Sequence, residues 1–556
     1  MKQQQHFRCH LKNAAQIVQV TTDPNVHVLK GEAQKQLTVL NAPADGAGAG
    51  LSLMVDSEGK IAAVGPTAEL EGQYYCTFDR VLDCAGKTLM PGLVDAHTHP
   101  VWAGDRVHEF AMKLAGATYM EVHAAGGGIH FTVQKTREAT EEQLFDSFKC
   151  RAERMIACGT TLLEAKSGYG LQAETELKML RVLERARREL GHRLELSGSF
   201  CGAHAVPRGL TAEEATAAVL DEQIPALKTA LDAGQLQVLE NVDVFCEEGV
   251  FSPTQSARIL EAAPLLRLAL NFHADELAPG LEGAAMGARL GARAISHLEE
   301  ISANGVAAMA RTGCVAVLLP TTAYILRLKA PPARQLLQAG VPVALGSDFK
   351  GEIWREICFV WGRGGGAAVI PSSMPVVMHL ACVLFRMSME EALVAATLNA
   401  AASLGRGHSH GALHPGRVGD VLVIDAPRWE HLVYQMAAHD VLIQAVIKAG
   451  KVKGVVDKVV QAVLKEVPAS VSPVAMNRLR PKLPSIVDIH WRVNVIISSS
   501  CISRSLQPFI SLTLRLDNGQ QAEFELSLEK FHLLRFTVSK ILKEMQLLEA
   551  RPALLQ

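Results

Sequence analysis

The sequence predicts an α/β fold: a (β/α)8 TIM barrel with a small composite β-sandwich contributed by both flanks, followed by a C-terminal α+β unit. Three observations carry this prediction. From Thr88 to about Leu404, apolar strand-like runs alternate with longer helical stretches, as expected of parallel strands buried on both faces. Histidine and aspartate recur at the ends of those runs, where barrels of this kind keep their functional side chains. Short strand-like segments broken by Gly, Pro and Asp stand on both sides of that region, as if one small β-domain were shared between its flanks.

The first part of the sandwich is assigned to residues 1–87, with strand-like stretches from about Ala15 at "QLTVL", "LSLMV" and "IAAVG". The barrel occupies 88–404. Its strands are read at "GLVDAH", "TTLLEAKSG", "LELSGSFCGAH", "LALNFHADE", "RAISHLEE", "CVAVLLPTTA" and "VPVALGSD". Between them lie helical patterns such as "ETELKMLRVLERARREL" and "PPARQLLQAG", with apolar residues at helical spacing. In 405–453, "GRVGDVLVIDAP" and "AVIKAGKVKG" return to short strands. Residues 454–483 read as a linker. In 484–556, alternating runs, a turn at "DNG" and a closing amphipathic helix make a unit in its own right.

Composition sets bounds. A chain of 556 residues exceeds one ordinary domain and can bury at least one large core. With 49% hydrophobic and 20% charged residues and a net charge of -2, it reads as soluble, with no nucleic-acid partner and no membrane partner. The opening "MKQQQHFRCHLKNAAQ" lacks the apolar core of a secretory signal. Eleven cysteines without CxxC pairs suit reduced thiols, so the expected location is cytoplasmic.

A strand presents alternate residues on one side, so His97 and His99 point together at the end of the first barrel run. An HxH pair alone is a weak signal. Its meaning changes when further runs end at His273 with Glu276 beyond it, at His297, and at Asp348. Imidazoles and a carboxylate converging on one barrel rim suit one divalent metal, zinc or iron. The glycines of "AAGGGIH" fit a substrate-approaching loop or a flexible turn. No dinucleotide fingerprint or P-loop surrounds them.

These residues also carry a resemblance. "PGLVDAHTHP", "NFHADE", "ISHLEE" and "GSDF" resemble the metal-site signatures of the amidohydrolase superfamily. "HTHPVWAGDR", "AGGGIHFTV", "KSGYGL" with "ETELKMLRV", and "GAHAVP" narrow it to the imidazolonepropionase family in its animal form, over roughly Ala15 to Lys453. The resemblance implies hydrolysis of 4-imidazolone-5-propanoate to N-formimidoyl-L-glutamate in histidine degradation. It implies that His97, His99, His273 and Asp348 hold the metal, and that Arg106, Tyr119, Tyr169, His204 and Glu276 face the substrate. His297 matches a site histidine that need not be a ligand.

The chemistry agrees with those roles. Opening a cyclic amide near neutral pH needs a strong nucleophile, which a divalent metal supplies by lowering the pKa of water towards about 7. Asp348 can accept the proton of that water, and His297 can support the developing oxyanion. Glu276 can pass a proton to the departing nitrogen, and Arg106 offers a planar fork for a propionate.

Two departures stand out. After "GSDF" the family continues through an Asn-Pro loop. Here residues 350–372 read "KGEIWREICFVWGRGGGAAVIPS", with Trp354, Phe359 and Trp361, before the pattern resumes at "SMPVVMHLAC". The tail also resembles a COMM domain, through Trp491 in "HWRVNV" and the Leu/Phe positions from Phe531 to Leu547. That resemblance implies a homodimer and COMM-domain partners. It also frames the alternatives: another amidohydrolase such as a heterocycle deaminase, or an impaired barrel acting through its tail.

Overall fold

The computed structural model describes residues 5–43, 50–74, 76–106, 128–350, 373–436, 438–454, 486–496, 507–516 and 521–527. The chain divides into two compact units, Met1–Gln461 and Ala462–Gln556. Among the described residues, no helix is long and apolar enough to cross a membrane.

The first unit begins with β1 (Gln5–Ala14), β2 (Gln16–Val20), β3 (Thr38–Asn41), β4 (Leu51–Asp56), β5 (Ile61–Pro66), β6 (Cys76–Asp83) and β7 (Thr88–Pro91). It ends with β16 (Val421–Ile424), β17 (Ile443–Lys448) and β18 (Lys451–Gly454). One sheet has the order β5-β4-β1-β6 and the other β18-β17-β16-β7-β2-β3, so the second is built from both flanks of the barrel. Leu11, Leu53, Val55 and Ile61 of the first sheet pack against Ile17, Leu89, Val421, Val423 and Ile447 of the second. β1 begins well before Ala15, in a stretch where "FRCHLKN" interleaves polar side chains with buried Phe7, Cys9 and Leu11.

Between these flanks lie β8 (Leu93–Asp95), β9 (Thr160–Lys166), β10 (Glu195–Ala203), β11 (Leu239–Cys246), β12 (Ala269–Ala274), β13 (Ala294–His297), β14 (Val315–Leu318) and β15 (Val343–Leu345). They form one eight-stranded sheet in sequence order, each adjacent pair parallel. The sheet closes just past the ends of its first and last strands. His99 N donates to Phe349 O at 2.9 Å, Asp348 N donates to His97 O at 2.9 Å, and Thr98 bridges Phe349 in parallel. Gly346 permits this approach, because a Cβ there would lie 2.7 Å from the Cβ of His97. Val94, Ala96, Leu162, Ala294, Val315, Val317, Leu319 and Ala344 fill part of the interior, as the layered packing of a TIM barrel requires.

In the second unit, β19 (Ile486–Ile496), β20 (Gln507–Leu516) and β21 (Gln521–Ser527) form an antiparallel meander. The closing helix read from Phe531 to Leu547 lies outside the described residues, as do the side chain of Trp491, Tyr119, and Trp354, Phe359 and Trp361.

Candidate metal centre and active site

The C-terminal rim of the barrel brings six of the candidate residues together. His97 and His99 follow β8, His204 follows β10, His273 lies in β12, His297 closes β13, and Asp348 follows β15. All six are buried. His297 and Asp348 have φ of 79° and 48°, the left-handed region that side chains rarely adopt. Such backbone persists where the surrounding structure holds it.

Each of the three histidines nearest the centre is held through its Nδ1. His273 Nδ1 lies 2.8 Å from Asp243 Oδ1, and His99 Nδ1 lies 3.4 Å from the carbonyl of Ser167. Neither partner can donate, so the hydrogen sits on Nδ1 and the lone pair on Nε2. His97 Nδ1 rests on Ser296 Oγ at 2.8 Å. The Nε2 atoms of His99 and His273 then face one another at 3.1 Å. Two lone pairs at that distance repel unless a cation stands with them.

Two further buried atoms belong to the same centre. His97 Nε2 and Asp348 Oδ1 have no hydrogen-bond partner among the described residues. Asp348 Oδ1 lies 3.6 Å from His97 Nε2 and 4.0 Å from His99 Nε2. Burial, reinforced by Lys166 at His97 and His273 and by the surrounding imidazoles at His99, holds all three well below their ordinary pKa, hence neutral. Burial works against ionisation of Asp348, but Lys350 and His297 outweigh it and keep the carboxyl below the usual range. Neutral imidazoles and one carboxylate suit zinc or a comparable divalent ion. His97, His99 and His273 form the compact candidate ligand group.

Three other candidate residues, His204, Tyr169 and Glu276, lie beside these histidines. His204 stacks on His99 at 4.5 Å between ring centroids, and Tyr169 lies 5.9 Å from His99. Glu276 Oε2 lies 3.6 Å from His297 Nε2. Burial pushes the Glu276 carboxyl up to about 7, while Glu276 and Glu299 overcome burial and raise His297 to about 9. Arg106 is buried beyond the first strand.

The loops are clamped by carboxylates reading backbone amides. Glu176 accepts from the N–H groups of Gly168, Gly170 and Leu171 at 2.7–2.9 Å, which fixes the turn bearing Tyr169. Glu247 does the same for Glu276, Leu277 and Ala278 at 2.9–3.1 Å. These contacts give "KSGYGL" with "ETEL", and "HADE", a structural reason.

Sequence reasoning missed the layer behind the histidines. Lys166, at the end of β9, pairs with Asp243 at 2.6 Å and Glu164 at 2.8 Å, and all three are fully buried. Burial alone would lower Lys166, but the two carboxylates outweigh it and keep the ammonium charged. The signal was the run "LENVDVFC", which becomes β11 and carries Asp243. Its Asn and Asp obscure a strand whose polar groups are paired inside the barrel. Thr322, which donates to Asp348 Oδ2 at 2.6 Å, was also missed.

Comparison with known proteins agrees with the fold. The amidohydrolase family matches residues 88–462, and the COMM domain matches residues 482–541. A mouse protein named probable imidazolonepropionase is 55% identical over 446 residues, covering 80% of this chain and 98% of that protein. Its human counterpart, similarly named, is 53% identical, covering 79% and 97%. Among solved structures, a triazine hydrolase from Arthobacter aurescens superposes with a TM-score of 0.60 at 15% identity, covering 83% of this chain and 98% of that one. An adenosine deaminase from Xanthomonas campestris, solved with bound zinc, gives 0.54 at 18% identity, covering 83% and 97%.

Proposed function

The chain belongs to the amidohydrolase family and, within it, to the imidazolonepropionases, and from that premise we propose that it hydrolyses 4-imidazolone-5-propanoate to N-formimidoyl-L-glutamate. The observation that carries the site reading is the pair of Nε2 lone pairs of His99 and His273 at 3.1 Å, with the unpartnered His97 Nε2 and Asp348 Oδ1 beside them. His97, His99, His273 and Asp348 would hold one divalent ion, zinc or iron(II). The ion's contribution when bound is Lewis acidity, which makes water a usable nucleophile near neutral pH.

The chain's own residues perform the rest. Water adds to the ring carbonyl carbon, the bond from that carbon to the ring nitrogen breaks, the nitrogen departs with a proton, and the carbon becomes a carboxylate. Asp348 takes the proton of the attacking water, since its Oδ1 faces the centre and its Oδ2 is already held. Glu276, with a carboxyl raised to about 7, is matched to giving a proton to the departing nitrogen and recovering it. His297 carries a hydrogen-bond donor for oxyanion charge at the carbonyl oxygen. Arg106 pairs with the propionate through its planar fork, and Tyr169 and His204 wall the ring. Tyr119, which lies outside the described residues, shares the substrate-facing role. The COMM domain is an interaction module, and we assign it self-association into a homodimer and contacts with other COMM-bearing chains.

The test is turnover of 4-imidazolone-5-propanoate by the purified full chain, with metal content measured on the same sample. Formation of N-formimidoyl-L-glutamate with one equivalent of metal is expected. A metal-loaded chain that leaves this substrate intact refutes the proposal.

A further inference from the structure

The two oxygens of Asp348 have different surroundings. Oδ1 faces His97 and His99 and has no hydrogen-bond partner among the described residues. Oδ2 is doubly held, by the hydroxyl of Thr322 at 2.6 Å and by the ammonium of Lys350 at 2.6 Å. Lys350 is no surface tether, for its side chain is only 19% exposed. The ammonium therefore stands inside the pocket, against the only carboxylate of the candidate ligand set.

Resting on the metal reading of His97, His99, His273 and Asp348, we propose that Lys350 is a positioning residue that sets the metal affinity of this centre. With Thr322 it reserves Oδ2, so that Asp348 offers a single oxygen. Its charge also cancels that of Asp348. Among the four candidate ligands Asp348 carries the single negative charge, and the Lys350 ammonium on its Oδ2 offsets that charge for an entering divalent ion.

The two effects oppose one another, and magnitude decides the sign. Removing the ammonium costs little orientation, because Thr322 still donates to Oδ2. It removes a repulsion that is large even under strong screening. Charges of +1 and +2 separated by one carboxylate group, about 6 Å, interact by roughly a factor of ten in affinity in bulk water, and by more in a buried pocket. The net effect of Lys350 is thus to loosen the ion.

The experiment compares the full-length wild type with Lys350→Met, Lys350→Gln and Lys350→Arg. Zinc affinity is measured by competition with a chromophoric chelator at neutral pH, with melting curves to establish folding. The Met and Gln variants are expected to bind zinc at least about tenfold tighter, with the gap narrowing as salt is raised. The Arg variant, which keeps the charge, stays near wild type. If the Met variant melts early, the Gln variant carries the comparison. Neutral variants that bind zinc no more tightly than wild type overturn the role of Lys350 while leaving the metal reading standing. A wild type that binds no zinc, matched by a His99→Ala control, overturns both.

Discussion

Replacing Asp243 by Asn tests the layer behind the ligands most directly. Asp243 Oδ1 accepts from His273 Nδ1 at 2.8 Å and from the His273 backbone N–H at 3.2 Å, while Oδ2 meets Lys166 at 2.6 Å. The amide keeps the shape but loses the charge, and its single oxygen cannot serve Lys166 and His273 together. A hydrogen bond to a charged group contributes about 1.5–3 kcal/mol. Loss of such a partner behind a ligating histidine weakens metal binding about 10–100-fold, which is the same quantity at about 1.4 kcal/mol per tenfold. Breaking one partner of a buried ion pair costs about 3–5 kcal/mol of stability. The lower end applies here, because Glu164 remains 2.8 Å from Lys166. The assays are chelator competition for metal affinity and thermal melting of the metal-free chain. A folded Asp243→Asn variant with wild-type metal affinity would refute the reasoning, since His273 would then need no fixed tautomer.

Three further outcomes are expected. His273→Ala should lose both metal and hydrolysis, read by elemental analysis and turnover, and full metal occupancy would remove His273 from the ligand set. Arg106→Lys should raise KM about tenfold with metal content unchanged, because a point charge cannot replace a planar fork; an unaltered KM would dismiss the contact with the propionate. Glu195 pairs with Arg406 at 2.7 Å, His410 at 3.1 Å and Lys448 at 3.2 Å. Although burial opposes it, these partners hold the Glu195 carboxyl below the usual range. A depressed folded pKa gives stability that is complete above the unfolded value, about 4.3, and is lost as pH falls through the folded one. The stability gap between wild type and Glu195→Gln, measured by denaturant melts, should be full at neutral pH and shrink below about pH 4. A gap that stays constant with pH would contradict this.

Much of the barrel and its rim was legible because the information was local. "GLVDAHTH", "LALNFHADE", "RAISHLEE" and "VPVALGSD" each hold an apolar run and the polar residues that end it, so strand and functional position are read together. The second sheet of the sandwich was legible as two separated flanks through "QLTVL", which overlaps β3, and through "GRVGDVLVIDAP" and "AVIKAGKVKG", which overlap β16 to β18. β7 (Thr88–Pro91) fell instead in the stretch assigned to the barrel, because its apolar run continues directly into "GLVDAH". β11 was missed for the opposite reason. Asn241 and Asp243 break its apolar pattern, and only the neighbouring strands make those side chains acceptable. Asn241 donates to Ser197 and Ser199 on β10 at 3.1 Å, and Asp243 meets Lys166 and His273 from β9 and β12.

The sequence by itself determined the barrel, its shared sandwich, and the His, His, His and Asp aimed at one rim, because side-chain alternation and strand ends are properties of a few consecutive residues. The tertiary structure alone decided which imidazole nitrogen faces the centre, which oxygen of Asp348 remains open, and that Lys166 and Lys350 stand close behind these ligands. Those choices depend on partners brought together from distant strands and on the removal of water around them. Hydrogen-bond acceptors fix a tautomer, and burial amplifies a single ammonium, only after the barrel has closed.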